Sequence, residues 1–125
     1  MPGSNNINDK RKHPRFDLDL PLEYHAADVP QVCGGLVVNA SESGLLVRSI
    51  KDMPIGTILN IAVFFPEGFR LSNFQVLAEI VWKGILREEN WKGYQLGLKF
   101  IHMLEEDHQK LKQLLNDGHE ITIIR

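Results

Sequence analysis

The chain is short of several things, and each shortage narrows what it can be. Cys33 is the only cysteine in 125 residues, which excludes an internal disulfide and any site built from several thiolates. That usage fits a reducing compartment, so a cytoplasmic location is expected. No stretch reaches the roughly 18 consecutive apolar residues of a membrane-spanning helix. The first ten residues, MPGSNNINDK, lack the apolar segment of a secretory signal, so the glycosylation-type triplet Asn39-Ala40-Ser41 needs another explanation. Metal-ligand spacing is missing too: the five histidines are scattered, and none pairs with Cys33 or an acid in a recognised pattern. Nor is there a nucleophile elbow, a phosphate-cradling glycine loop or a zinc-protease motif. No metal, cofactor or catalytic activity is expected.

What remains is an ordinary globular composition, 43% hydrophobic and 24% charged, enough for one core without covalent staples. A single domain is expected. The net charge of −2 hides an asymmetry. Lys10, Arg11, Lys12 and Arg15 stand against Asp9 in the first fifteen residues, while the rest carries ten basic and fifteen acidic groups. A binder of RNA or single-stranded DNA needs aromatics on a basic face. An acidic body argues against that class, and no nucleic-acid partner is expected.

Residues 1–9 have almost no hydrophobic content and are predicted to be a disordered lead-in. Phe16, Leu18, Leu20, Leu22 and Tyr24 then alternate with Asp17, Asp19, Pro21 and Glu23, the period of a strand with one buried face. Pro21 cannot donate to a ladder, so it is expected at an edge or with its nitrogen turned outward. Further strands are predicted over 32–38, 45–47, 58–65, 74–82 and 94–101, separated by turn residues such as Pro54-Ile55-Gly56 and Pro66-Glu67-Gly68. Trp82 is expected to be partly core, Trp91 to suit a partner surface, and 83–90 to be the loop between them. Leu104, Leu111, Leu114 and Leu115 shift to a helical period, predicting a helix over 104–117 with Gly118 as its stop. The tail 119–125 has β character in Ile121, Thr122, Ile123 and Ile124. The pattern is that of an all-β protein with a C-terminal helix, the six strands forming a barrel or sandwich spanning 16–101.

Two short motifs carry chemistry. Arg11-Lys12-His13-Pro14-Arg15 places two arginines three residues apart, directly before the first strand. Guanidinium groups grip phosphate bidentately and stack on flat rings, and Pro14 disfavours a helical His13. Asn39-Ala40-Ser41-Glu42-Ser43-Gly44 joins the second and third strands. Its amide and hydroxyl suit the edge of a purine, and its glycine suits a tight connection. Either motif alone is common by chance, the second as a plain turn. Cys33 is expected to be a small buried hydrophobe, Asp17 and Asp19 solvated strand charges, and His102 and His108 surface groups.

Taken together, R-x-x-x-R followed some twenty to thirty residues later by [D/N]-x-S-x-x-G resembles the PilZ domain family, bacterial receptors for cyclic di-GMP. Gly97-Leu98-Lys99-Phe100 resembles that family's last barrel strand. The likeness covers residues 10–118: an arm over 10–15, a six-stranded antiparallel barrel and the helix. It implies that Arg11 and Arg15 contact phosphate and stack on guanine, that Asn39 and Ser41 read guanine edges, and that Gly44 holds the turn. Lys10 and Gly97 are implied as lesser ligand-binding positions. Asparagine in place of aspartate at 39 lacks the charge that strengthens a bond to guanine N–H groups. The implied role is a receptor that changes conformation on binding cyclic di-GMP and signals to a downstream protein controlling motility, biofilm or exopolysaccharide, as a monomer or homodimer. A second reading is a protein-interaction adaptor of the same fold that no longer binds nucleotide. Eroded motifs would be its mark, and here both are intact.

Overall fold

The computed structural model describes residues 14–124, and their side chains over 14–117. Six strands follow one another: β1 (Phe16–Ala26), β2 (Cys33–Ala40), β3 (Gly44–Ser49), β4 (Ile58–Glu67), β5 (Arg70–Glu88) and β6 (Trp91–His102). One helix, α1 (Glu105–Ile124), ends the chain. All pairings are antiparallel and close into a barrel in the order β1-β2-β3-β6-β5-β4, with β4 returning to β1. The predicted all-β architecture with a C-terminal helix is the one observed.

Alternation explains why the barrel fills itself. Leu18, Leu22 and Tyr24 of β1, Leu59, Ile61 and Val63 of β4, and Phe74, Val76, Ala78 and Ile80 of β5 all point inward and are buried. Each large apolar side chain taken from water contributes about 1.5–3 kcal/mol. Pro21 lies where β1 has only β2 beside it, because pairing with β4 begins one residue later at Leu22. Tyr24 is the one phenol in this core, and its hydroxyl hydrogen-bonds Ser49. Burial raises the Tyr24 pKa above the usual phenol value, an effect the Ser49 bond opposes. Cys33 is half-buried at the core margin rather than inside it.

Leu111 and Leu115 of α1 are buried in the barrel core, so the helix plugs one end. Asp107 fixes its first turn by accepting the Gln75 backbone N–H at 3.1 Å, and Lys110 Nζ donates to the Asn73 carbonyl at 3.1 Å. Glu105, Glu106 and Asp107 suit the positive end of the helix dipole.

Two expectations are corrected. The helix does not stop at Gly118 but runs through Ile124, so the tail from 119 to 124 is helical rather than strand-like. A glycine inside a helix costs only about 1 kcal/mol, and no proline follows to end it. Residues 83–90 are not a loop: β5 continues to Glu88 and β6 starts at Trp91, leaving Glu89-Asn90 as the turn. Between β4 and β5 the turn is Gly68-Phe69, with Gly68 at φ 63°. Positive φ at the first central position alone is the type II′ combination that suits the strand twist. Among the described residues, no helix is long and apolar enough to cross a membrane.

Candidate functional site

The turn between β2 and β3 is built from its own side chains. Ser41 N–H donates to the Gly44 carbonyl at 2.9 Å, and Ser41 Oγ accepts the Ser43 N–H at 3.2 Å. The Ser43 carbonyl accepts the Phe100 N–H at 2.9 Å, tying the turn to β6. Ser41 is only 1% exposed, so its hydroxyl sits inside the turn rather than at a surface. Gly44 is forced by packing: a Cβ there would lie 2.2 Å from the Leu98 carbonyl oxygen. That contact is backbone against backbone, so neither side can yield cheaply. The close approach that needs this glycine is that of β6.

From this turn a single row of residues crosses five strands. Asp17 pairs with Asn39, Asn39 with Leu46, Leu46 with Gly97, and Gly97 with Trp82. All five line one open groove of about 670 Å³ on the outer barrel face, with Arg15 at its Asp17 end. At a strand spacing of roughly 4.8 Å, four steps give a row of about 19 Å. The volume falls in the range of about 300–1,000 Å³ typical of small-molecule sites.

Two β-bulges turn Asn39 and Trp82 into this row. Strict alternation would turn Asn39 inward with buried Val37, and Trp82 inward with buried Ile80. A register shift between Val37 and Asn39 in the β2–β3 pair turns Asn39 out. Another between Ile80 and Trp82 in the β5–β6 pair does the same for Trp82. An extra residue in one strand re-aims the side chains beyond it, a device common beside functional sites. Trp82, expected in part in the core, is therefore 49% exposed. Its indole lies across two bare backbones: a Cβ on Gly97 would come 3.1 Å from the Trp82 Cβ, and one on Gly84 would come 3.0 Å from its Cη2.

At the other end, Arg15 Nε donates to Asn39 Oδ1 at 2.7 Å, joining the two motifs across 24 residues of chain. The groove thus brings together Arg15, Asn39 and Gly97 from the predicted set, with Gly44 and Ser41 shaping the turn beside it. Lys10 and Arg11 lie outside the described residues, as does the predicted lead-in 1–9. Asp17 and Trp82 were missed. The signal for Trp82 was hidden by the bulge, and that for Asp17 lay only in its cross-strand partner. His108 of α1 reaches the same turn, its Nε2 3.7 Å from Glu42 Oε1. The charges attract when the imidazole is protonated.

Open volume is also found elsewhere on the described surface. Between α1 and the outer wall of β1, β4 and β5 lies a groove of about 630 Å³, lined in part by His25, His102 and Glu106. It carries neither motif. Further along the β5–β6 face, Trp91 rests against Gly93, where a Cβ would come 2.5 Å from the indole. The Arg48 guanidinium lies 6.0 Å from the Trp91 ring centroid and 4.0 Å from Glu88.

Comparison with known proteins is consistent with this geometry. The family model for the PilZ domain matches residues 9–117. Among solved structures, the chain is similar to the inhibitor of motility MotI/DgrA of Bacillus subtilis, with a TM-score of 0.70 at 18% identity. That match covers 86% of this chain and 50% of MotI. It is similar to the PilZ domain of Escherichia coli YcgR with c-di-GMP, with a TM-score of 0.70 at 12% identity, over 90% of this chain and 94% of that one. It is also similar to apo MrkH of K. pneumonia, with a TM-score of 0.72 at 12% identity, over 92% of this chain and 53% of that one. The chain spans about half the length of MotI and of MrkH. At these identities the likeness is one of fold. No curated protein sequence matches the chain.

Proposed function

Since the chain belongs to the PilZ domain family, we propose that it is a cyclic di-GMP receptor that signals to a partner protein and has no catalytic role. The observation that carries this reading is the Arg15–Asn39 bond at the mouth of the groove. It joins the two motifs that a dinucleotide needs together: a guanidinium for phosphate or a base face, and an amide for a base edge. Trp82 offers a free indole face on which a second base stacks. Arg11 and Lys10 add cationic contacts from the arm, and Gly97 keeps the groove floor flat. Ser41 and Gly44 act through the turn, holding Asn39 where the nucleotide meets it. PilZ domains are receptor modules, and YcgR is one whose solved domain holds c-di-GMP. Binding changes the conformation of the protein, and the changed surface is what a partner reads. The protein works in the cytoplasm, where its ligand is made, and needs no cofactor.

Calorimetric titration of the full chain with cyclic di-GMP tests this directly. Micromolar binding is expected, and Arg15→Ala should weaken it roughly 10–100-fold, as loss of a charged hydrogen bond does. An absence of heat and of thermal stabilisation at saturating ligand would sink the proposal.

A further inference from the structure

Asp17 stands in the groove with a carboxylate and no evident structural duty. It is exposed, it begins the cross-strand row, and it lies directly opposite Asn39. Asp19, two residues on, does not line the groove. A carboxylate accepts hydrogen bonds and donates none. Beside an anionic phosphodiester it is a liability unless something on the ligand donates to it.

The occupancy of Asn39 shows what is missing. Its side-chain oxygen already accepts from Arg15 Nε at 2.7 Å, which leaves its amide NH2 as the group to offer a ligand, a donor. That donor matches the O6 or N7 acceptors of a guanine. The same guanine still has N1–H and the exocyclic N2–H2, two parallel donors on its Watson–Crick edge. Directly opposed strand residues hold their Cβ atoms about 4.5–5.5 Å apart, close enough for one base to meet both side chains. Position 39, an amide, lacks the negative charge that would bind those N–H groups strongly. Asp17 supplies it from the neighbouring strand.

We propose that Asp17 is a specificity-determining residue of this site, its carboxylate accepting the N1–H and N2–H2 of a guanine whose O6 or N7 is met by Asn39. This rests on the nucleotide-binding reading above and names the base feature that the site selects. Adenine, with an unprotonated N1 and no amino group at position 2, has no donor where this carboxylate lies, and its 6-amino group sets a donor against the Asn39 amide. Hypoxanthine keeps N1–H but lacks the 2-amino group, so it separates the two bonds.

The test is a set of titrations of the full chain and of Asp17→Asn with cyclic di-GMP, cyclic di-IMP and cyclic di-AMP. The wild type should bind cyclic di-GMP best, with cyclic di-IMP weaker and cyclic di-AMP weakest. Asp17→Asn should weaken cyclic di-GMP by about tenfold or more, the loss of a charged acceptor, and bring it within about threefold of cyclic di-IMP. Thermal unfolding of the variant should be unchanged, because Asp17 is exposed. An unaltered ratio of cyclic di-GMP to cyclic di-IMP affinity in the variant overturns the inference while leaving nucleotide binding intact. So does a variant that binds all three ligands more tightly, since Asp17 would then only repel phosphate. A wild type that binds none of the three overturns the receptor reading itself, and this inference with it.

Discussion

Trp82 and Trp91 lie on the same outer face of the β5–β6 pair, each resting on glycine, and they meet opposite circumstances. Trp82 has one face on Gly97 and Gly84 and the other open to a groove where Arg15 is already satisfied by Asn39. Trp91 lies on Gly93 and meets Arg48 as a cation–π neighbour. Arg48 Nε is buried there with no hydrogen-bond partner among the described residues. Among the described residues, the same local device, an indole laid on bare backbone, is left open in one place and capped in the other. An aromatic ring becomes a binding platform when nothing of the protein's own covers it.

The comparison can be broken in several ways. The largest effect is expected at the turn that sets the groove's position. Gly44→Ala should lower unfolding free energy by about 1–3 kcal/mol or more through overpacking against the Leu98 carbonyl, read from denaturant midpoints, and should weaken nucleotide binding as well. Next, Trp82→Ala should weaken cyclic di-GMP by roughly 10–100-fold, given about 1–3 kcal/mol per stacked base, with little change in stability. Trp91→Ala should do the reverse, leaving affinity within about twofold while lowering stability by about 0.5–2 kcal/mol through lost packing and cation–π contact. Equal effects of the two substitutions on affinity would erase the distinction.

The smallest effect concerns the core beneath the Trp91 end, where Tyr24 meets Ser49. The Tyr24 pKa is raised in the folded state by burial, so the unfolded chain ionises first as pH climbs past about 10. Stability is therefore fully present below that pH and declines as pH rises through the folded value. Tyr24→Phe should flatten this alkaline decline, at a cost of about 1 kcal/mol near neutral pH for the lost hydrogen bond. Chemical denaturation repeated between pH 8 and pH 11 would measure it, and an unchanged slope in the variant would refute the assignment.

Much of this molecule was legible before its structure. Alternation from Phe16 to Tyr24 and from Tyr94 to Phe100 identified strands because period two is a strong local signal with one face buried. Arg15 and Asn39 were recognisable by type and spacing. The misreadings share a cause: they occur where a nonlocal contact overrides local pattern. Trp82 follows Phe74, Val76, Ala78 and Ile80 in phase, and only the bulge against β6 removes it from the core. Residues 83–90 hold several charges and looked like a loop, yet pairing from Lys83–Leu96 to Glu88–Trp91 makes them a ribbon. Asp17 looked like any solvated strand charge. Its significance comes from facing Asn39, a fact of register that no single segment reveals. Ser41 has the chemistry of a base reader, and within the turn its hydroxyl accepts the Ser43 N–H, a local contact that type and spacing alone do not announce.

Because the wall closes from β4 back onto β1, almost every strand is flanked on both sides. Among the described residues, backbone with one strand neighbour is confined to strand ends, such as Phe16 to Pro21 of β1, Phe64 to Glu67 of β4 and, longest, the part of β5 beyond Ile80. That last stretch carries Lys83, Arg87 and Glu88, charges that discourage edge-to-edge growth. Closure thus leaves little backbone through which the sheet could grow, and the open edge of β5 is guarded by charge.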